Sequence, residues 1–268
     1  MKQLSSTSNP LIKKILHLQE KSKVRKEEHV FVIDGWKETQ MALENDFMLE
    51  LILCAQDAAN SLQLSEIESV LNTFHSKAEI IQVSEAVFDK ISVRGNTSKV
   101  VAIAQQKEHT LSQITLSKNP VILVLDAVEK PGNLGAILRV ADAGNVDAVL
   151  CCAIATDIYN PNVIRSSVGC VFTQNIAVAD KNDIYNFLIE NNISIYTTSL
   201  KSSKNYLEID YKKSSAFVFG TEAVGVDAFW ETHSMQNIII PMRGQNDSLN
   251  VSNTAAIVLF EALRQRNI

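Results

Sequence analysis

Three short polar stretches hold the residues best suited to chemistry. The first is Glu129-Lys130-Pro131-Gly132-Asn133-Leu134-Gly135, leading into Arg139. It is neither GxGxxG nor a Walker loop, so it signals neither a dinucleotide nor a nucleoside triphosphate. Gly132 and Gly135 permit close approach to the backbone. The spacing from Asn133 to Arg139 is read as straddling the start of a helix over Ala136–Ala143, with both residues facing its N-terminal mouth. An arginine there suits a phosphate or a developing oxyanion. The second stretch is Phe219-Gly220-Thr221-Glu222-Ala223-Val224-Gly225. A glycine at a strand end lets a ligand lie against the backbone. The third runs from Ile238 to Ser252, where Pro241 stops an apolar strand and Ser248 and Asn250 flank Leu249. Taken singly, each has an equally plain structural explanation: Asn133 as a cap, Arg139 in a surface ion pair, Glu222 as a first-turn carboxylate.

The elements that must position these stretches alternate between strand and helix. Residues 1–105 read as a small α/β domain, with strands at His29–Ile33, Leu49–Cys54, Ala78–Val83 and Val100–Ala104. Helices are expected from Asn9-Pro10, over Trp36–Glu44, Leu64–Phe74 and Ser84–Ile91. Residues 106–119 are polar and aperiodic, and read as a linker. Residues 120–268 form the second domain, with apolar strands at Val121–Leu125, Ala148–Ala153, Ile193–Tyr196, Ala216–Phe219 and Ile238–Ile240. Five such strands with intervening helices predict a doubly wound parallel sheet, which binds ligands beyond its carboxyl strand ends. A closing helix is expected to bury Ala256, Leu259, Phe260 and Leu263 on one face.

Composition narrows the chemistry. The 268 residues are 46% hydrophobic and 21% charged, enough for packed cores. Cys54, Cys151, Cys152 and Cys170 form no CxxC pair and read as reduced, buried thiols. The five histidines show no metal-ligand spacing. Met1–Thr7 lacks the apolar core of a signal peptide, and no run is long enough to span a bilayer. A cytoplasmic protein without membrane contact is expected. The net charge of −5 argues against non-specific coating of nucleic acid. Residues 1–30 nevertheless hold seven Lys/Arg against three Glu, a basic front end on an acidic chain. Lys13, Lys14, Lys23 and Arg25 within it can contact phosphate, or can simply be a solvated helix face.

Order and wording together separate these readings. Gly132-Asn133-x-Gly135-x3-Arg139, then Gly220-Thr221-Glu222-x2-Gly225, then Ile240-Pro241-Met242-x5-Ser248-Leu249-Asn250-Val251-Ser252 closely resembles the three signature motifs of the SpoU (TrmH-like) RNA ribose methyltransferases of the SPOUT superfamily. Asp157-x2-Asn160-Pro161-x3-Arg165-x-Ser167-x-Gly169 resembles a further segment of that family. The match covers roughly residues 120–266. A looser one, carried by Ser8-Asn9-Pro10-x-Ile12-Lys13 and Arg25-x5-Phe31-x-Ile33-Asp34-Gly35, is similar to the ribosomal-protein-like substrate domain of one branch, which more often has Glu at the place of Asp34.

The resemblance implies a C-terminal α/β parallel sheet with a deep trefoil knot, a smaller N-terminal RNA-binding domain, and a homodimer. It implies transfer of methyl from S-adenosylmethionine to a ribose 2′-hydroxyl, without a metal. Asn133, Arg139, Glu222, Ser248 and Asn250 would then form the catalytic pocket. Gly220, Ile240 and Leu249 would lie against the cofactor. Ribosomal RNA is the implied substrate ahead of transfer RNA, because the N-terminal match is to the ribosomal branch. A non-catalytic ribosome-assembly factor on the same fold is the rival reading.

Overall fold

The computed structural model describes residues 2–56, 62–93, 99–201, 203–221 and 225–267. The chain divides into two compact units, Met1–Lys107 with Asp157–Thr173, and Glu108–Thr156 with Gln174–Ile268.

The first unit is built from β1 (Lys2–Leu4), α1 (Pro10–Glu20), α2 (Ser22–Glu28), β2 (Val30–Asp34), α3 (Trp36–Glu44), β3 (Leu49–Ala55), α4 (Leu62–Thr73), β4 (Glu79–Val83), α5 (Glu85–Ile91) and β5 (Val100–Gln105). Its sheet runs β1-β4-β3-β5-β2. β1, β4 and β3 are parallel, while β5 is antiparallel to β3 and β2. Asn9 starts α1 by accepting the Leu11 N–H at 2.9 Å, with Pro10 preset for the first turn. Ile12, Ile15 and Leu18 then fall on one buried face. Neither β1 nor α2 was expected. β1 is short and largely exposed, so it carries no periodic signal. The extended backbone of Lys21 separates α1 from α2.

The chain continues through β6 (Val121–Asp126), α6 (Pro131–Ala143), β7 (Ala148–Cys152), α7 (Pro161–Ser167), β8 (Ile176–Val178), α8 (Lys181–Glu190), β9 (Ser194–Thr198), β10 (Lys204–Asn205), β11 (Ser215–Phe219), α9 (Ala228–His233), β12 (Gln236–Ile239) and α10 (Val251–Gln265). Of these, α7 belongs to the first unit. The second sheet runs β10-β12-β9-β11-β6-β7-β8, with every pairing parallel. β6, β7 and β11 are buried along their whole lengths, which is why they read as unbroken apolar runs.

Three expectations are corrected here. The second sheet has seven strands where five were read, because β8 and β10 are edge strands of three and two residues. α6 begins at Pro131, five residues before Ala136, since a proline at the first helical position needs no N–H partner and presets φ. On α10 the buried apolar residues are Val251, Ala255, Val258, Leu259, Ala262 and Leu263, while Ala256 is half-buried and Phe260 exposed. The helix is rotated so that it packs on both α6 and β11.

The four cysteines are buried. Burial pushes the Cys54 and Cys151 thiols up to about 12. They are therefore packing groups, without the thiolate character that reactivity requires.

Candidate functional site

A cavity of about 300 Å³ opens within the second unit, beyond the carboxyl ends of β9, β11 and β12. Its volume lies in the range of small-molecule sites, and its place is where parallel sheets bind ligands. Ile238, Ile240, Leu249, Val251 and Val258 supply an apolar lining, and Thr198, Ser199, Thr221 and Glu231 add polar groups.

The floor after β11 is set by a tight reversal. The Thr221 N–H donates to the Gly225 carbonyl at 2.9 Å and the Gly225 N–H returns a bond to the Thr221 carbonyl at 3.2 Å. Gly225 sits at φ +75°, a conformation that favours glycine. A Cβ at Gly220 would collide with the Gly225 carbonyl and the Val226 nitrogen, so only glycine lets the chain fold back here. The reversal is pinned from below. Asp126, buried at the end of β6, accepts the Asp227 N–H at 2.7 Å. The Lys181 ammonium meets the Asp227 carboxylate at 2.6 Å and holds that carboxyl below its ordinary range.

The structure brings the expected cofactor residues together: Gly220, Ile240 and Leu249 all line the cavity, and Ser248 joins them. Ser248 donates to Asp247 at 3.1 Å. Asn250 caps α10 by accepting the Ser252 N–H at 3.0 Å, and its amide donates to the Asn133 side-chain oxygen at 3.1 Å. A side-chain hydrogen bond thus joins the first and third polar stretches. Glu222 lies outside the described residues.

The expected pairing of Asn133 and Arg139 at a helix mouth is corrected. Both are inside α6, with Asn133 in its first turn and Arg139 farther along. Six helical residues separate them by about 9 Å along the axis and about 120° around it. Arg139 is exposed, does not line the cavity, and makes no hydrogen bond or ion pair among the described residues. Long helical side chains lean back toward the N-terminus, which points Arg139 toward the Asn133 end.

The basic front end is not uniform. Lys13 is exposed. Lys14 pairs with Glu28 at 2.5 Å, and Lys23 sits 3.7 Å from Glu27 with its side chain 83% exposed. Arg25 overturns the expectation of phosphate contact, being only 1% exposed. Its Nε donates to Asp157 Oδ2 at 2.6 Å and its Nη1 to the Leu18 and Gln19 carbonyls. Asp157 also accepts the Ser22 hydroxyl and the Tyr159 N–H. Tyr159 stacks on Phe31 at 4.2 Å between ring centres, and Phe172 stacks at 5.8 Å. Arg25 and the Asp157–Thr173 segment are therefore internal structure of the first unit.

Sequence reasoning missed the β9 side of the cavity. Ser199, Lys201 and Glu231 carry no motif, and only the sheet order brings α9 against the end of β9. Among the described residues no group of His, Cys, Asp or Glu is placed to hold a metal ion. No described helix is long and apolar enough to cross a membrane.

Residues 120–260 match the model of the SpoU rRNA Methylase family, and residues 9–102 match the MRM3-like substrate binding domain. The chain is 30% identical to the 23S rRNA (guanosine(2553)-2′-O)-methyltransferase RlmP of Bacillus subtilis, over 97% of this chain and 98% of that one. A crystal structure of an RNA 2′-O ribose methyltransferase superposes with a TM-score of 0.85 at 36% identity, covering 99% of this chain and all of that one. An AdoMet-bound rRNA methyltransferase from Sinorhizobium meliloti superposes with a TM-score of 0.89 at 29% identity, covering 98% and 97%.

Proposed function

Because the chain belongs to the SpoU rRNA methylase family, we propose that it transfers the methyl group of S-adenosylmethionine to a ribose 2′-hydroxyl of ribosomal RNA. The observation that carries this is the cavity beyond β9, β11 and β12, lined by Gly220, Ile240, Ser248 and Leu249. Its apolar walls suit an adenine, and the backbone ends of β11 and β12 can read the adenine edge. Gly220 lines this cavity through its backbone alone, because the chain returning at Gly225 and Val226 fills the place of a side chain. Bound there, S-adenosylmethionine would supply a methyl group activated by its sulfonium.

The chain's own residues would do the rest. A ribose hydroxyl is a poor nucleophile near neutral pH, so the site must stabilise the oxyanion that develops as it attacks. A guanidinium is a fork of donors with no acceptor, so Arg139 is assigned to that stabilisation, with the hydroxyl proton released to water as the methyl leaves the sulfonium. Asn133 and Asn250, bonded to each other, would orient the target ribose, with Ser248 and Glu222 completing the pocket. The first unit would bind the RNA, with Lys13, Lys14 and Lys23 meeting phosphates. The segment around α10 would complete a deep trefoil knot, one of the rare exceptions to unthreaded chains. The working form would be a cytoplasmic homodimer, and transfer RNA is the alternative substrate.

Calorimetric binding of S-adenosylmethionine, followed by mapping of 2′-O-methylation in RNA from cells lacking the protein, tests this reading. The expected result is micromolar-class binding and loss of one ribosomal 2′-O-methyl mark. RNA binding with neither cofactor binding nor a lost mark would instead indicate an assembly factor.

A further inference from the structure

The wall of the cavity under the end of β9 is built from residues outside the three polar stretches. Ser199 follows β9, Glu231 lies on α9, and both line the cavity together with Lys201. The Ser199 hydroxyl accepts the Lys201 N–H at 3.0 Å, which directs its single proton to Glu231 Oε1 at 2.6 Å. The carboxylate is anchored from its backbone as well, because the Asn237 amide donates to the Glu231 carbonyl at 3.1 Å. Glu231 is thus held in one orientation, with its side chain 19% exposed. Its second oxygen, Oε2, has Lys201 Nζ at 3.6 Å, beyond hydrogen-bond reach, on a side chain that is 80% exposed. A fixed carboxylate therefore lines the cavity beside the apolar Ile238, Ile240 and Val258, with one oxygen held by Ser199 and the other in a long ion pair to an exposed Lys201, and such a group gains when a ligand supplies donors.

We propose that Glu231, positioned by Ser199, takes the ribose 2′,3′-diol of the adenosyl cofactor. The inference rests on the cofactor reading of this cavity and assigns the subsite within it. The order β9-β11-β6 places the β9 end two strands from the end of β6 that leads to Asn133. An ionised carboxylate only accepts, and two adjacent hydroxyls offer it two protons. The amino-acid end of the cofactor is a poorer match, since it carries a carboxylate beside its ammonium and would be repelled as much as attracted. Acidic residues beyond strand ends take vicinal ribose hydroxyls in dinucleotide-binding sheets by the same chemistry.

Calorimetry on the full chain with two probes decides the matter. S-adenosylhomocysteine has both the diol and the amino-acid tail, whereas 5′-methylthioadenosine has the diol alone. Glu231→Ala is expected to weaken both probes by a similar factor, about 10- to 100-fold. Ser199→Ala, which only frees the carboxylate, should weaken both by a smaller factor. Glu231→Gln, with its melting temperature checked against the parent, gives the same ranking if the alanine variant does not fold. Weakened S-adenosylhomocysteine with unchanged 5′-methylthioadenosine would assign Glu231 to the tail and overturn the proposal. Unchanged affinity for both probes would also overturn it while leaving the cofactor reading standing. Failure of the parent chain to bind either probe would remove both.

Discussion

Arg25 of the first unit and Arg139 of the second carry the same guanidinium into opposite surroundings. Arg25 is enclosed, with Asp157 and two carbonyls around it. Arg139 stands exposed, with no partner among the described residues. An enclosed arginine contributes through what its removal would leave behind, because its carboxylate partner cannot leave the interior. An exposed arginine adds little to folding and keeps its fork available to a ligand. The two regions thus separate architecture from chemistry. Charge clusters alone do not make that distinction, since both arginines sit in stretches that look functional in one dimension.

The comparison breaks first at Arg25. Arg25→Met should cost about 3–5 kcal/mol, because Asp157 would be left buried and uncompensated. Urea unfolding measures this, and a stability equal to the parent's would show that the pair is not structural. Arg139→Ala should behave in the opposite way. Its stability should stay within about 0.5 kcal/mol of the parent. Its single-turnover methyl transfer should fall by about 100- to 1000-fold, with S-adenosylmethionine affinity preserved. An unchanged rate would remove Arg139 from the chemistry.

The next effects sharpen the contrast within each unit. Gly220→Ala forces a Cβ against the Gly225 backbone, and overpacking of this kind costs about 1–3 kcal/mol. Weakened cofactor binding by calorimetry should accompany it, and unaltered affinity would mean the reversal can open without consequence. Lys13→Glu with Lys23→Glu should lower the salt dependence of RNA affinity, by a slope of about one per lost phosphate contact. Arg25 contributes nothing to that slope if it is purely internal.

The smallest effect concerns pH. Lys181 holds the folded Asp227 carboxyl below its ordinary range. The pair's stabilisation is therefore present above the usual carboxylate pKa and is lost as pH falls through the lowered folded value. Lys181→Ala should lower the melting temperature at pH 6–7, with the difference fading below about pH 4. A difference that grew on acidification would contradict the assigned partner.

Much of the fold was legible because burial leaves a pattern. β6, β7 and β11 read as apolar runs since helices cover both of their faces. Asn9-Pro10 marked a true helix start, with the asparagine side chain accepting the N–H two residues on. The short edge strands β8 and β10 left no pattern, because a strand of two or three residues completes no period. The start of α6 was misplaced because glycines in Gly132-Asn133-Leu134-Gly135 mimic a loop, while Pro131 in fact opens the helix. The face of α10 was misread because Phe260 is apolar yet exposed.

The sequence by itself determined the family, the alternation of strand and helix, and the residues Gly220, Ile240, Ser248 and Leu249 that share the cavity. These follow from local order along the chain: runs of apolar residues, caps, and motifs with fixed spacing. Only the tertiary structure decided that Asn133 meets Asn250 across 117 positions, that Arg25 is spent on Asp157, and that Glu231 and Ser199 complete the cavity. Strand order is the physical reason. Neighbours in a parallel sheet are set by crossovers, so residues far apart in sequence come together by a route that no local spacing encodes.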